Sequence, residues 1–202
     1  MQFEEKVIEL KRNDRLFTQS APVFISRSPG RLDLMGGNDD YTGGLVFEST
    51  IRESTYAAAQ LRSDKKVVLK NKTVADAGWL GDTSLELADL QDEGTLRSRV
   101  NQSPSVRWTA YVLGNLHYLL KKYPERIKNG ITLYMESTVP LNRGVSSSAA
   151  IEVAVMKAAS AAYGVPLEGV ELALACQWVE NVICESACGI MDQIAVATGK
   201  EG

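Results

Sequence analysis

One segment constrains this chain most, the stretch TVPLNRGVSSSAA at residues 138–150, where a glycine turn and three serines lead directly into an alanine-rich helical pattern. The start of a helix carries unpaired backbone N–H groups and a partial positive charge, so it attracts anions such as a nucleotide triphosphate. Gly144 would let the backbone approach phosphates closely, and the serine hydroxyls could bond phosphate oxygens or Mg²⁺. The lysine of the GxxxxGK[ST] loop is missing. We therefore predict a phosphate-binding loop of another kind, and the alternative is a helix capped by a serine.

The composition indicates a globular protein without nucleic-acid or membrane partners. Hydrophobic residues make up 45% and charged residues 23% of the 202 residues, and the net charge of −3 comes without a basic stripe. Neither a signal peptide nor an apolar run long enough to cross a membrane is visible. The three cysteines (Cys176, Cys184 and Cys188) form neither an even disulfide set nor a CxxC pattern, which favours a reducing cytoplasm. The single histidine, His117, lies in an apolar helical stretch and is predicted to be structural, which also argues against zinc.

The hydrophobic pattern predicts an α+β two-layer sandwich with a mixed sheet and helices packed on one face. The predicted helices cover 3–18, 107–122, 147–163, 167–184 and 190–198. The predicted strands cover 22–26, ended by a turn at 28–30, then 45–60 paired with 66–69, and 131–135, whereas 71–105 is expected to be irregular. Without an internal repeat or linker, we expect one domain over residues 1–202. The final GKEG lacks a settled element, so we expect the front part of a longer protein.

Three carboxylates near the end of the chain are candidates for catalysis or metal binding: Glu180, Glu185 and Asp192. A kinase acting on a hydroxyl needs a phosphate grip, oxygen ligands for Mg²⁺ and a group that orients or deprotonates the acceptor. Glu180 lies in an otherwise apolar helix, where a single acid more often faces solvent than a metal. Asp192 follows an apolar stretch that would dehydrate it, which makes it the stronger candidate.

Three sequence blocks resemble the galactokinase, homoserine kinase, mevalonate kinase and phosphomevalonate kinase family, and within it the galactokinase and L-arabinokinase branch. They are SPGRLDLMGGNDDYTGG at 28–44, the serine loop, and CGIMDQ at 188–193, with a weaker match at Arg107-Trp108 followed by Tyr111 and Gly114. The blocks span residues 20 to 202 in the family's order and spacing. Members of that family are about twice as long, so the resemblance implies its N-terminal domain, in a truncated form that lacks the C-terminal domain.

The resemblance implies an ATP-dependent kinase that phosphorylates the anomeric (C1) hydroxyl of a monosaccharide. In this reading Asp192 orients the sugar hydroxyl or takes its proton, and Arg31 stabilises the charge beside it. An acid next to a guanidinium is a weak base, so positioning must supply much of the rate. Glu180 would hold Mg²⁺ together with Ser147, a role that replaces the solvent-facing interpretation of Glu180.

The same resemblance assigns the remaining contacts. On the sugar, Asp40 would accept hydrogen bonds from ring hydroxyls beside the backbone of Gly189, with Gly37, Asn38 and Tyr41 nearby. The nucleotide would lie on the loop formed by Gly144, Val145, Ser146, Ser147, Ser148 and Ala149. Trp108 is either the tryptophan beside the adenine or a core residue of an amphipathic helix, and the sequence leaves both open.

The sugar-binding block departs from the galactokinase pattern Gly-Glu-His-Thr-Asp-Tyr, because Gly37 and Asn38 replace the glutamate and the histidine. Losing a carboxylate that bonds the sugar 6-hydroxyl removes a charged hydrogen bond of roughly 1.5–3 kcal/mol. L-Arabinose lacks that hydroxyl, so we favour an arabinokinase-like pentose site, with a hexose or a sugar acid still open. A sensor or regulator that binds sugar and ATP without turnover is the alternative function, and the retained Asp192 and Arg31 speak against it. A folding or interaction fragment is a third reading.

Overall fold

The computed structural model describes residues 2–13, 16–37 and 39–200. Its helices are α1 (Phe3–Arg12), α2 (Lys72–Asp76), α3 (Glu93–Val100), α4 (Thr109–Lys122), α5 (Ser147–Tyr163), α6 (Gly169–Val182) and α7 (Met191–Thr198). Its strands are β1 (Phe24–Met35), β2 (Phe47–Leu61), β3 (Lys66–Asn71), β4 (Asp82–Glu86) and β5 (Ile131–Ser137). Within these ranges, no helix combines the length and apolar character needed to cross a bilayer.

The five strands form one mixed sheet in the order β1-β2-β5-β3-β4, in which only the β3–β5 pair is parallel. The predicted pairing of the second strand with the third is wrong, because β5 lies between them. Ala59 of β2 is opposite Leu133 of β5, and Leu69 of β3 is opposite the same leucine from the other side. The central position of β5 agrees with its burial, because its first five residues are all buried, as expected for a strand covered on both faces.

Helices α4 to α7 form the second layer of the predicted sandwich, on one face of the sheet. α5 packs against β1 and β2, where Ala57 and Ala59 leave room for its close approach. Successive strand residues point to opposite faces, so Ala58 points away from this layer and contacts the smaller cluster around Phe3 and Val7 of α1. The two-layer α+β prediction is confirmed, and α1 covers part of the opposite face.

Strand β1 is longer than the sequence predicted, and this places the first site residues on the sheet. The proposed turn at Ser28-Pro29-Gly30 is instead a shift in the β1–β2 register between Pro29 and Arg31. Proline lacks a donor N–H and is tolerated at such a bulge, so the strand bends and continues to Met35 instead of ending. Arg31 therefore lies on a strand.

Two other segments differ from the predicted pattern. Helix α1 ends at Arg12 instead of residue 18, and beyond it Phe17 packs into the α1 cluster with 1% of its surface exposed. The segment 71–105, expected to be irregular, contains α2, β4 and α3. Side-chain caps start both helices, since Asn71 accepts a hydrogen bond from the N–H of Val74 and Asp92 accepts one from Thr95. The predicted spans at 107–122, 147–163, 167–184 and 190–198 agree with α4 to α7 within two residues.

Candidate active site

The centre of the site is an ion pair between Arg31 and Asp192, which lie 161 residues apart in the sequence. Arg31 projects from β1, and Asp192 lies in the first turn of α7. The Nε of Arg31 donates to Oδ1 of Asp192 at 2.8 Å, and Nη2 lies 2.6 Å from the same oxygen. Arg31 is 7% exposed and the Asp192 side chain is 25% exposed, so water screens the pair in part, mainly from the Asp192 side.

The serine loop contacts both members of this pair. The hydroxyl of Ser146 donates to Oδ2 of Asp192, and Nη1 of Arg31 donates to the carbonyl oxygen of Gly144 at 2.8 Å. The backbone N–H of Arg31 also donates to the carbonyl of Val145, at 3.1 Å. A Cβ on Gly30 would lie 2.8 Å from that same carbonyl oxygen, so glycine is needed where the strand crosses the loop. Arg31 and Asp192, which the resemblance assigned to neighbouring roles, thus contact each other and the serine loop.

The loop has a backbone suited to holding an anion. Asn142, Gly144 and Ser146 have φ values of 56°, 68° and 54°, so alternate residues are left-handed. Left-handed residues of this kind can turn successive N–H groups to one side and create an anion-binding concavity. Helix α5 begins at Ser147 and receives no side-chain cap, because the Ser146 hydroxyl is bonded to Asp192 instead. The serine-capped alternative for this loop is therefore wrong.

A cavity of about 260 Å³ opens beside the loop and borders Ser147 and Ser148. Its aromatic walls are Trp108, Trp79 and Tyr111. Trp108 is 4% exposed and its Nε1 donates to the carbonyl of Leu80 at 2.9 Å. The two interpretations of Trp108 are thus compatible, since the residue belongs to the core and also lines a cavity next to the phosphate loop.

A buried acidic cluster lies behind the loop. Glu180 on α6 is 7% exposed, so it does not face solvent, and its Oε2 accepts a hydrogen bond from Nε2 of Gln193 at 2.6 Å. Burial raises the pKa of Glu180, and a hydrogen bond with Ser148 opposes this rise. Glu152 on α5 is fully buried, and burial followed by the charge of Glu180 holds its pKa well above the ordinary value. Burial thus raises the pKa of both carboxyls, and that of Glu152 is raised further.

The resemblance assigned Ser147 to Mg²⁺, and Ser148 is a second loop serine close enough to Glu180 to affect its pKa. Both serines line the cavity. Both serines stand in the first turn of α5, so either hydroxyl lies near an anion bound at this helix start. In the described part of the chain, no group of three or more His, Cys, Asp or Glu side chains is arranged to hold a metal ion.

The predicted sugar contacts converge on the N-terminus of α7. Oδ2 of Asp40 accepts a hydrogen bond from the N–H of Met191 at 2.9 Å. A Cβ on Gly189 would lie 1.8 Å from Oδ2 of Asp40, so the carboxylate lies directly against the Gly189 backbone. The exposed Tyr41 donates its hydroxyl to the carbonyl of Ala187 at 3.4 Å. The remaining sugar candidate, Asn38, lies outside the described residues.

Gly37 is tightly surrounded, although it carries no side chain. A Cβ at this position would lie 2.1 Å from Oδ2 of Asp33. The space where a larger residue would begin is therefore occupied by a carboxylate that comes from β1. The sequence comparison with the galactokinase pattern identified the missing glutamate at Gly37 but not the role of Asp33.

Glu48 on β2 is a further member of the site that the sequence analysis missed. Its Oε2 lies 2.9 Å from Nε of Arg31, and its side chain is 7% exposed. No sequence motif marks it, because its proximity to Arg31 depends on the register that sets Glu48 opposite Asp33.

Two residues that the sequence analysis discussed, His117 and Glu185, lie apart from the site. His117 is buried with Nδ1 2.6 Å from the Leu90 carbonyl oxygen, as the structural interpretation predicted, and Glu185 is an exposed residue near Arg97.

Comparison with known proteins agrees with this geometry. Residues 110–200 match the family GHMP kinases N terminal domain, and residues 14–61 match the Galactokinase galactose-binding signature. The chain belongs to the GHMP kinase family, in the galactokinase and L-arabinokinase branch. The first match contains the serine loop, nearly all of α4 and Asp192. The second match contains Arg31 and Glu48.

Individual relatives extend the match to nearly the whole chain. An L-arabinokinase of Arabidopsis thaliana is 34% identical over 225 aligned residues, covering 98% of this chain and 22% of that protein. A galactokinase of Levilactobacillus brevis is 36% identical over 182 residues, covering 90% of this chain and 43% of that protein. The chain thus spans less than half the length of these curated relatives.

Solved structures show the same fold. The crystal structure of Lactococcus lactis galactokinase complexed with galactose superposes with a TM-score of 0.77 at 29% identity, over 96% of this chain and 47% of that one. A mevalonate kinase superposes with a TM-score of 0.70 at 20% identity, over 86% of this chain and 51% of that one. The second similarity concerns the fold alone.

Proposed function

We propose that this chain supplies the phosphate-binding and acceptor-binding residues of an ATP-dependent kinase acting on the C1 hydroxyl of a monosaccharide. One observation carries the proposal, the contact of Asp192 with both Arg31 and Ser146 at the start of α5. These contacts bring together a group that can accept a proton (Asp192), a fixed positive charge (Arg31) and the start of α5, where an anion could bind. This is the arrangement that phosphoryl transfer to a hydroxyl requires.

The chain's own residues divide the work. Asp192 orients the acceptor hydroxyl and takes up its proton as the hydroxyl oxygen bonds the γ-phosphorus of ATP and the bond from that phosphorus to the departing ADP breaks. Oδ1 and Oδ2 of Asp192 are fixed by Arg31 and Ser146. Arg31 is held by the Gly144 carbonyl as well, so its positive charge stays beside the phosphate loop. Positioning and charge stabilisation supply most of the rate in such a reaction, because its transition state is loose.

ATP and Mg²⁺ are part of this proposal, and the donor atoms present fit both. The carboxyl of Glu180 and the hydroxyls of the loop serines Ser147 and Ser148 offer the oxygen ligands that Mg²⁺ prefers. Mg²⁺ at that position would neutralise negative charge on the phosphates. The loop from Gly144 to Ala149 would hold the phosphates, and the cavity lined by Trp108 has the aromatic walls suited to an adenine.

For the sugar we propose a pentose of the L-arabinose type, held by Asp40 and the backbone of Gly189, with Tyr41 and Asn38 nearby. The carboxylate of Asp33 fills the space at Gly37, which supports a site without the glutamate that would bond a 6-hydroxyl. A cytoplasmic location stays a prediction from the cysteine pattern.

The test is phosphorus NMR of the full-length gene product with Mg-ATP and, in separate tubes, L-arabinose, D-galactose and D-galacturonate. We expect a sugar 1-phosphate signal with L-arabinose, and a preference for D-galactose would overturn the argument from Gly37. Asp192→Asn should lower turnover by about a hundredfold or more while sugar and ATP still bind. The exposed Asp82, mutated to asparagine, is the matched control. Binding of both ligands without turnover in the unmodified protein would instead support the sensor or regulator.

A further inference from the structure

Glu48 is a nearly buried carboxylate without a well-formed hydrogen bond. Both of its oxygens are shielded from solvent, and no described donor reaches either with good hydrogen-bond geometry. Its neighbours are Arg31, whose Nε lies 2.9 Å from Oε2 while the N–H itself is directed at Asp192, and Asp33, which interacts with its side chain. A buried carboxylate without well-placed donors is costly, and Arg31 is the charge that compensates it.

The charged groups around Glu48 come from two elements, β1 and α7. Asp33 lies directly opposite on β1, Arg31 lies two residues before it on the same strand, and Asp192 reaches the cluster from α7. One guanidinium therefore serves the carboxylates of Glu48 and Asp192, with Asp33 adjoining. Removing negative charge from one carboxylate must strengthen the attraction of Arg31 for the other.

We propose that Glu48 is a positioning residue of the kinase reaction. Its carboxylate competes with Asp192 for the attraction of Arg31, and the weaker Arg31–Asp192 attraction leaves Asp192 able to accept a proton. The inference rests on the proposed function for its catalytic consequence, but the charge coupling is a property of the folded chain. Glu48 does not touch the sugar or the phosphates in this role. It acts through Arg31.

The ionisation of Glu48 makes this coupling measurable near neutral pH. Burial raises its pKa to about 7, Arg31 opposes the rise, and the charges of Asp33 and Asp192 add to it. As the pH rises through 7, Glu48 becomes charged and competes with Asp192 for Arg31. Activity is therefore expected to rise over the same interval.

The first experiment needs no activity. Carbon NMR of the side-chain carboxyl groups, with the Glu48 signal assigned through Glu48→Gln, should show Glu48 titrating near pH 7. In Asp192→Asn the Glu48 midpoint should move to lower pH, because one of the repelling charges is gone. A Glu48 midpoint that is the same in both proteins would overturn the proposed coupling, whatever the chain catalyses.

The second experiment compares pH profiles of kcat/KM in the full-length product. We expect a rise near pH 7 in the unmodified protein and in the control Glu53→Gln, an exposed glutamate on the same strand. Glu48→Gln should lose this rise and be roughly three- to tenfold less active at pH 8, while Glu48→Asp should restore part of it. An unchanged profile in Glu48→Gln would refute the positioning role. Absence of kinase activity in the unmodified protein would instead refute the proposed function and leave the NMR result to decide the coupling.

Discussion

Replacing Glu48 by glutamine should stabilise the fold at alkaline pH, because it removes a carboxylate that is hard to ionise in the folded state. The ordinary pKa of a glutamate is 4.5, and in the fold that of Glu48 is about 7. A folded-state pKa above the unfolded value means that the stabilising contribution is complete below pH 4.5 and is lost as the pH rises through 7. Glutamine does not ionise, so the variant avoids this loss.

The difference between 4.5 and about 7 corresponds to roughly 3 kcal/mol of unfolding free energy at pH 8. Asp33 is exposed and the Asp192 side chain is 25% exposed, so water screens part of the cluster, and we expect about half of this figure. Urea unfolding followed by circular dichroism measures the effect at pH 5 and pH 8. Glu48→Gln should gain about 1–2 kcal/mol over the unmodified chain at pH 8 and little at pH 5.

The matched control, Glu53→Gln, removes an exposed carboxylate from the same strand and should follow the unmodified chain at both pH values. Other groups also make the fold pH-dependent, so the quantity that matters is the difference between the two variants. If Glu48→Gln and Glu53→Gln show the same stability at pH 8, the burial argument for Glu48 is refuted.

Three further predictions concern the glycines and the buried acid of the site. Gly189→Ala should weaken sugar binding about tenfold or more in calorimetry, because its Cβ would lie 1.8 Å from Asp40 and must displace that carboxylate. Gly37→Ala should lower the thermal unfolding temperature only slightly, because the carboxylate of the exposed Asp33 can move aside, and adding Asp33→Ala should recover most of that small loss. Glu152→Gln should fold with near-normal stability and keep its Mg²⁺ dependence, because full burial raises the pKa of this carboxyl well above its ordinary value and so favours its neutral form.

Each of these predictions has a control or a contradicting result. Gly94→Ala places a methyl group 3.6 Å from its nearest neighbour on α3, so it should be tolerated where Gly189→Ala is not. Strictly additive losses for the Gly37 and Asp33 substitutions would show that they do not share a space. For the buried acid, Glu180→Gln should raise the Mg²⁺ concentration needed for half-maximal activity. An equal effect of Glu152→Gln would contradict the expectation that burial keeps Glu152 out of Mg²⁺ binding.

The comparison of predicted and observed structure separates local from long-range information. The helices from α4 to α7 were predicted within two residues at each end, because their apolar periodicity and punctuation by Pro124 and glycines are local signals. The β2–β3 pairing was predicted wrongly because strand order depends on which strand is buried on both faces. The bulge at Pro29 was read as a turn, since a proline-glycine pair has the same local signature in both.

The sequence by itself determined the family, the α+β class and the residue types of the site, because these depend on motifs whose order and spacing are written in the chain. Only the tertiary structure decided which side chains contact one another and which carboxylates compete for the same positive charge. Ser146 bonds Asp192 instead of capping α5, Asp33 fills the space at Gly37, and Glu48 competes for Arg31. The contacts of Ser146 and Glu48 join a loop, a helix and two strands through a register that no local pattern specifies, and burial in that register gives the charges their strength. The contact of Asp33 with Gly37 is local in sequence, but it depends on how the chain turns at the end of β1.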